Sequence, residues 1–326
     1  MKRFIDENGI FEIKVPVTWR YLLDGKVHTF QEYEIWKSDA FQLSIRELKD
    51  ENQRKYFLQE FSKLNKVTIG QLEYFCYPDS GDTDFTIKSW IRIFDNRIVL
   101  FTLTHPNNPD KDLDSRSIEE KISIVFSIIK EFKLIEQTNK EEVINRYRFE
   151  VFLQGVGATS LMLNKSVKSK AFIEATCIIA NQIDALLRIG IVLKKQLLNG
   201  NNLIETKWIY QGLSDKIISE KDVYKESLNL GIITQEIFDN LYQLYNDRNR
   251  VVHRFIISVI TLAEAEEISY KYYKKSEELN QIIYNLEAEQ IKLNVGMTIK
   301  GGQAQEGHIL DFIKGKIGKL NYFEDK

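Results

Sequence analysis

The chain has few cysteines and histidines, which argues against disulfide bonds and metal sites. Among 326 residues there are two cysteines and four histidines. Cys76 and Cys177 lie far apart in apolar surroundings, which favours two buried, reduced thiols over a disulfide. The scattered cysteines and histidines show none of the spacings typical of a metal site. We therefore expect neither a metal nor an organic cofactor.

The chain also lacks a strong net charge and any long apolar run. Its formal net charge is −2 and its pI is near 6.2, so no global field attracts nucleic acid or an acidic membrane. No stretch reaches the roughly 18 uninterrupted apolar residues of a membrane span. The start, "MKRFIDENGIFEIKV", has no long apolar core of the kind found in signal peptides. We predict a cytoplasmic protein without a membrane partner, in which any anion-binding site is local.

Proline is confined to the first third of the chain. All four prolines lie at or before position 109, namely Pro16, Pro78, Pro106 and Pro109. Proline suits turns and strand edges but costs about 3 kcal/mol inside a helix. With 326 residues, two domains are the better expectation. The asymmetry predicts a domain of strands and turns followed by a helical one.

The first part, residues 1–137, has the pattern of an α+β domain with an antiparallel sheet. Phe11, Ile13 and Val15 alternate with polar residues, as in a half-buried strand, and Asp95-Asn96 suits a tight turn between two more strands. Residues 51–64 have helical spacing, and a capping box beginning at Ser117 announces a second helix. Two helices are enough to cover the sheet. Trp19, Trp36 and Trp90 are expected in the core, and His28 and His105 are expected to be surface or satisfied histidines.

The order of these elements, together with the phrase "NGIFEIKVPVTW", resembles the α/β/α sandwich of Mog1- and PsbP-like proteins. The resemblance covers about residues 1–137 and implies a fold. It implies no activity, because members of that group have unrelated functions. A role in sensing or targeting, with a protein partner, is the expectation for this domain.

Residues 138–294 have helical periodicity throughout and predict an all-α bundle. The polar segment "QTNKEE" is the expected boundary before it. Gly155 and Gly157 in its first helix are expected to allow close helix approach. The last segment, 295–326, contains six of the sixteen glycines yet retains apolar residues at helical spacing. This tail is expected to dock on the body of the protein or on a partner, and its His308 is expected to be incidental.

One helical stretch, "NDRNRVVHRF", combines an apolar stripe with three arginines and a histidine. At 100° per residue Asn249 and His253 share a face, and so do Arg250 and Arg254. Arg248 lies about 140° from His253, so the two meet only if the helix starts or bends there or the long arginine side chain reaches around. Such a patch could hold a phosphodiester through guanidinium groups while the histidine moves a proton.

The R-N-x-x-x-H spacing near the end of a helical domain resembles the HEPN superfamily. Many of its members are metal-independent endoribonucleases that act as toxins or defence effectors, with the motif paired across a homodimer. The resemblance covers about residues 140–290. It implies catalytic roles for Arg248 and His253, with Asn249 as the accompanying polar residue and Arg250 and Arg254 in support. It also implies RNA as a partner. Other HEPN-like proteins are non-catalytic dimerising or regulatory modules, so both functions stay open.

A second group of polar residues interrupts the apolar run "CIIANQIDALLRIGIVL". Asn181, Asp184 and Arg188 are three and four residues apart, so they line one ridge of a helix. Either Asp184 and Arg188 form an internal ion pair, or the ridge faces the motif and Asp184 orients an arginine or His253. A local excess of basic residues in 146–195 could attract RNA, although a solvated helix face explains it as well. The motif's arginines could likewise pair only with acids such as Asp239 and Asp247.

Overall fold

The computed structural model describes residues 1–32, 38–109, 114–211 and 216–298. These fall into two compact units, residues 1–141 and residues 142–298. The first holds ten strands and two helices, and the second holds five α-helices. The predicted fold class, an antiparallel α+β domain followed by an all-α domain, is confirmed.

The first unit contains two antiparallel sheets. A seven-stranded sheet has the order β3-β4-β5-β9-β8-β7-β6, and a three-stranded sheet has the order β1-β2-β10. The strands are β1 Lys2–Ile5, β2 Phe11–Val15, β3 Arg20–Asp24, β4 Val27–Gln31, β5 Ala40–Glu47, β6 Asn65–Ile69, β7 Leu72–Gly81, β8 Phe85–Phe94, β9 Arg97–Pro106 and β10 Lys133–Leu134.

Two helices, α1 Glu51–Phe61 and α2 Ile118–Lys130, cover opposite faces of the large sheet. Successive residues of β9 point to opposite faces, so Phe101 joins the core beneath α2 while Ile98 joins the smaller core beneath α1. The predicted capping box is present, because Ser117 and Glu120 bond each other's backbone N–H groups at the start of α2. Trp19 and Trp90 are buried in the core, as predicted.

The second unit is built around one apolar helix. Its helices are α3 Lys140–Lys168, α4 Phe172–Asn199, α5 Glu220–Asn229, α6 Gln235–Arg254 and α7 Leu262–Leu293. The most extensive helix contact in the unit is between α4 and α7. By length and composition α4 could cross a membrane, but 72% of its apolar window is buried inside the protein. It therefore has the character of a buried core helix.

Close packing of α4 on α7 depends on Gly190. A Cβ atom at this position would lie 2.9 Å from Ile283 Cδ1 and 3.2 Å from Ile232 Cγ2. Any larger residue would therefore force the two helices apart or displace Ile283. The close helix approach expected at Gly155 and Gly157 of α3 stays a prediction.

Several details differ from the sequence expectations. The strand β3, which forms a hairpin with β4 around Gly25, was not predicted. Both cysteines are free, but they are half-buried and not fully buried. Trp36, His308 and residues 299–326 of the tail lie outside the described residues, so the expectations about them stay predictions.

Candidate functional site

The motif stretch occupies the last turns of α6, which explains its mixed composition. Thr234 caps the start of this helix, and its side chain accepts a hydrogen bond from the backbone N–H of Ile237. Leu241, Leu244 and Val251 form the buried stripe of the helix. The helix ends at Arg254, where His253 and Arg254 lie near the negative end of the helix dipole. The apolar stripe holds α6 on the bundle, and the charged residues occupy its remaining faces.

Arg248 is enclosed in an ion pair with α5. Its Nη1 atom donates to Glu220 Oε2 at 2.6 Å, and only 18% and 15% of the two side chains are exposed. The guanidinium carbon also lies 4.7 Å from the centre of the Tyr245 ring. Burial alone would lower the pKa of Arg248, but the Glu220 carboxylate outweighs burial and holds that pKa above its ordinary value. The guanidinium is therefore charged, paired and largely removed from solvent.

Two tyrosines extend this buried polar centre. The Tyr224 hydroxyl donates to Glu220 Oε1, so this carboxylate uses both oxygens. Burial, reinforced by Glu220, raises the pKa of Tyr224. Tyr272 on α7 is completely buried, and its hydroxyl has no hydrogen-bond partner among the described residues. The bonded groups thus join α5 to α6, whereas the Tyr272 hydroxyl contributes no hydrogen bond from α7 among the described residues.

His253 stands in a different environment from Arg248. Its side chain is exposed, and within the described part of the chain it makes no hydrogen bond or ion pair. Arg250 is 54% exposed and lies 3.7 Å from Asp247, and Arg254 is exposed. Among the described residues Asn249 bonds only to its neighbour, accepting from Arg248 Nη2 at 3.4 Å. Of the predicted catalytic pair, one member is thus enclosed and the other faces solvent.

Asp184 and Arg188 of the ridge on α4 form an internal ion pair. Arg188 Nε donates to Asp184 Oδ2 at 2.6 Å, and its two terminal nitrogens donate to the carbonyls of Trp208 and Ile218 at 2.8 and 3.0 Å. Asp184 makes no hydrogen bond to His253 or to an α6 arginine among the described residues. Burial raises the pKa of Asp184, and Arg188 only partly opposes this. Asn181 is exposed and does not share the buried environment of this pair.

Next to His253 the surface is strongly apolar. Ile256, Ile257 and Val259 in the turn between α6 and α7, and Leu262 at the start of α7, are 94%, 81%, 96% and 61% exposed. We call these four side chains the apolar strip. An open surface pocket of about 390 Å³ runs along its start, lined by residues that include His253 and Ile173. Any chemistry of His253 therefore takes place beside an exposed hydrophobic surface.

A second polar site, in the first unit, was missed by the sequence reasoning. Six charged or titratable residues meet where β4, β5 and β9 approach α2, and we call them the charge cluster: Glu32, Asp39, His105, Asp114, Arg116 and Lys121. The signal for it was present in α2. Lys121 falls at helical spacing between Ile118 and Val125 on the apolar stripe, a position at which a buried lysine needs acidic partners.

Lys121 is the centre of the charge cluster. Its ammonium group lies 3.0 Å from Asp39 Oδ2 and 3.5 Å from Asp114 Oδ2, and its side chain is only 4% exposed. His105 Nδ1 lies 2.7 Å from Asp39 Oδ1. Arg116 holds Asp114 with two bonds of 2.7 Å and reaches Glu32 at 3.1 Å. Each buried charge therefore contacts an opposite charge. The cluster stabilises the fold and is not an open binding site.

Asp114 makes the stability of the first unit depend on acidity. Burial alone would raise its pKa, but the hydrogen bonds and charge of Arg116 lower that pKa to about 2. A lowered folded-state pKa gives stability that is complete above the unfolded value near 4 and is lost as the pH falls towards 2. Between pH 5 and pH 2 the free energy of unfolding of the wild type should fall by roughly 2 kcal/mol more than that of Asp114→Asn, which has no carboxylate to protonate at this position. Urea unfolding at a series of pH values across this range would measure the two losses. Equal losses for both proteins would contradict the prediction.

The described residues hold no group of three or more histidine, cysteine or acidic side chains placed to bind a metal ion.

Comparison with known proteins gives little further information. No family model matches the chain, and no curated protein matches it. Among solved structures it is similar to a crystal structure from Bacteroides thetaiotaomicron, with 14% identity and a TM-score of 0.34. That similarity covers 56% of this chain and 79% of the other. At this level it supports no inference about fold or function.

Proposed function

We propose that the helical unit is a non-catalytic protein-interaction module, in which Arg248 is structural. The observation that carries this proposal is the enclosed ion pair of Arg248 with Glu220 at 2.6 Å. A catalytic arginine must bring its guanidinium to the phosphate whose charge it stabilises. Here that group is already neutralised by Glu220, which is itself fixed by Tyr224. A phosphodiester would have to displace a buried carboxylate in order to reach it.

The energetics support the same function. Breaking a buried ion pair typically costs about 3–5 kcal/mol, because the partner charge stays buried without compensation. If Arg248 left Glu220 to bind a substrate phosphate, the new contact would have to offset that cost in every catalytic cycle. By contrast, the pair stabilises the docking of α6 on α5, which is what a scaffold for a partner needs.

The test is an RNA cleavage assay with EDTA present, comparing the full chain with His253→Ala. We expect no difference in cleavage rate between the two proteins on structured and single-stranded RNA. Lys225→Ala is the matched control, because it removes an exposed cationic group of the same unit that lies outside the motif. Cleavage by the wild type that His253→Ala abolishes would overturn the proposal.

A metal-independent endoribonuclease is the second candidate, favoured by the exposure of Arg250, His253 and Arg254 together at the end of α6. In that function His253 would take the proton of a ribose 2′-hydroxyl, whose oxygen attacks the phosphorus while the 5′-oxygen leaves and takes a proton from water. The products would be a 2′,3′-cyclic phosphate and a free 5′-hydroxyl. Arg250, which is not enclosed, would then hold the phosphate in place of Arg248. RNA would be the partner and the cytoplasm the location.

A further inference from the structure

We propose that the edge strand β3 of the first unit binds an extended segment of a protein partner, which adds to the large sheet as a further antiparallel strand. β3, residues Arg20–Asp24, is one of the two edge strands of the seven-stranded sheet. The outer side of an edge strand has backbone groups that no neighbouring strand pairs, so it can accept another chain. This binding is independent of the role of the helical unit.

The backbone of β3 turns two residues outward. β3 and β4 are joined by the two-residue turn Gly25-Lys26, whose glycine has the positive φ, 58°, that this kind of hairpin requires. Asp24 and Val27 flank the turn and therefore exchange hydrogen bonds, and the bonding alternates along the ladder. The N–H and C=O groups of Tyr21 and Leu23 consequently point away from β4. Within the described residues they have no other hydrogen-bond partner.

The side chains at the centre of β3 are apolar and exposed. Leu22 and Leu23 point to opposite faces of the sheet and are 45% and 50% exposed. Leu22 pairs across the hairpin with Thr29, which accepts a hydrogen bond from Gln42 on the next strand, so its direct neighbours along the sheet are polar. The five residues of the other edge strand, β6, include no exposed large apolar side chain. A strand added outside β3 would cover both leucines.

The two ends of β3 carry opposite charges. Arg20 and Asp24 lie on the same sheet face as Leu22 and are exposed, and among the described residues neither has an ion-pair partner. An antiparallel partner places one residue opposite each of these three side chains. A basic residue opposite Asp24, an apolar one opposite Leu22 and an acidic one opposite Arg20 would complement them. The partner segment thus has the pattern basic-x-apolar-x-acidic.

Other occupants of this edge are less favourable. The sequence of β3, RYLLD, itself fits the pattern, but pairing with a second copy would join five residues on each side, whereas stable interfaces use about 20–30 a side. An extended segment binds over so short a stretch because backbone hydrogen bonds supply its affinity. RNA and an anionic membrane gain no net attraction from one basic and one acidic end.

The experiment titrates the full chain with a fluorescein-labelled synthetic peptide, TKIVTET, and follows fluorescence anisotropy. In the antiparallel register its Lys, Val and Glu face Asp24, Leu22 and Arg20. We expect saturable binding. N-methylation of both the Ile and the following Thr, which face Leu23 and Tyr21, should weaken binding by about tenfold or more, because it removes two N–H groups that bond to β3. N-methylation of the Val is the matched control, since its N–H points away from β3, and should change the affinity by less than about twofold.

Variants of the chain test the side chains of the same surface. Leu22→Lys should weaken binding by roughly fivefold, because it removes the apolar contact with the Val of the peptide. Leu72→Lys on β7 is the matched control, because Leu72 belongs to the same unit and is 40% exposed, and it should leave binding unchanged. Arg20→Glu should weaken binding of TKIVTET and strengthen binding of the peptide TKIVTKT, each by roughly fivefold, because the residue that faces position 20 then has the unlike charge only in the second peptide.

Two results would overturn the inference. One is a peptide that shows no saturable binding to the full chain, or whose binding is unchanged by Leu22→Lys and by N-methylation of the Ile and Thr. The other is a full chain that sediments at twice its 38.3 kDa mass and becomes monomeric with Leu22→Lys, because the edge would then hold a second copy.

Discussion

Replacing Arg248 with alanine is expected to lower the free energy of unfolding of the helical unit by about 3–5 kcal/mol. The substitution leaves Glu220, which is 15% exposed, as a buried carboxylate with only the Tyr224 hydroxyl to bind it. It also removes the guanidinium from the Tyr245 ring. The loss would follow from the uncompensated charge more than from the missing contact.

Urea unfolding followed by far-UV circular dichroism would measure this effect, because most helical residues belong to the helical unit. Arg250→Ala is the matched control. It deletes an arginine two positions away that is 54% exposed and 3.7 Å from its partner, so a change below about 1 kcal/mol is expected. Equal destabilisation by the two variants would show that the ion pair with Glu220 contributes little. The double variant Arg248→Met/Glu220→Leu should recover much of the loss, since it removes both charges.

The second large effect is expected at Lys121 in the first unit. Lys121→Met keeps the length and apolar stem of the side chain but leaves Asp39 and Asp114 without the cation that lies 3.0 and 3.5 Å away. Asp114 keeps its two bonds from Arg116, whereas Asp39 keeps only His105, so we expect a loss of about 3 kcal/mol in the stability of this unit, at the low end of the range for a broken buried pair.

Lys55→Met on α1 is the control for this variant, because Lys55 is exposed and is expected to change the free energy of unfolding by less than about 0.5 kcal/mol. Fluorescence of Trp19 and Trp90, which are buried in this unit, would report its unfolding. If Lys121→Met unfolds at the same urea concentration as Lys55→Met, the charge cluster does not stabilise the fold.

The division into a strand-rich unit and a helical unit was predictable because its signals are local. The signals are the positions of proline, the alternation of apolar with polar residues, and the capping residues of helices, and each involves residues close together in the sequence. The caps Ser117 of α2 and Thr234 of α6 could therefore be predicted from the sequence. β3 was missed because Leu22 and Leu23 are both exposed in an edge strand, which removes the alternation on which strand prediction depends.

The candidate site was less predictable, because its environment depends on distant residues. The partner of Arg248 is Glu220, 28 positions earlier on another helix, whereas helical geometry alone pointed to acids on the same helix, such as Asp247. The ion pair of Asp184 with Arg188 was foreseen as one of two alternatives, because residues four positions apart on one helix lie next to each other. The charge cluster joins residues up to 84 positions apart, and no short pattern contains it.

The burial of α4 has a consequence for how the protein is made on the ribosome. The main partner of α4 is α7, so roughly 90 further residues must be synthesised before the apolar face of α4 can be fully covered, on the order of 5–20 s of translation. During that interval only α5 and α6, whose contacts with α4 are less extensive, can cover a segment with the hydropathy of a membrane span. A chain that stops before α7 would leave exposed the face of α4 that α7 covers. The order of synthesis thus leaves the most apolar helix of the unit partly uncovered until the last helix is made.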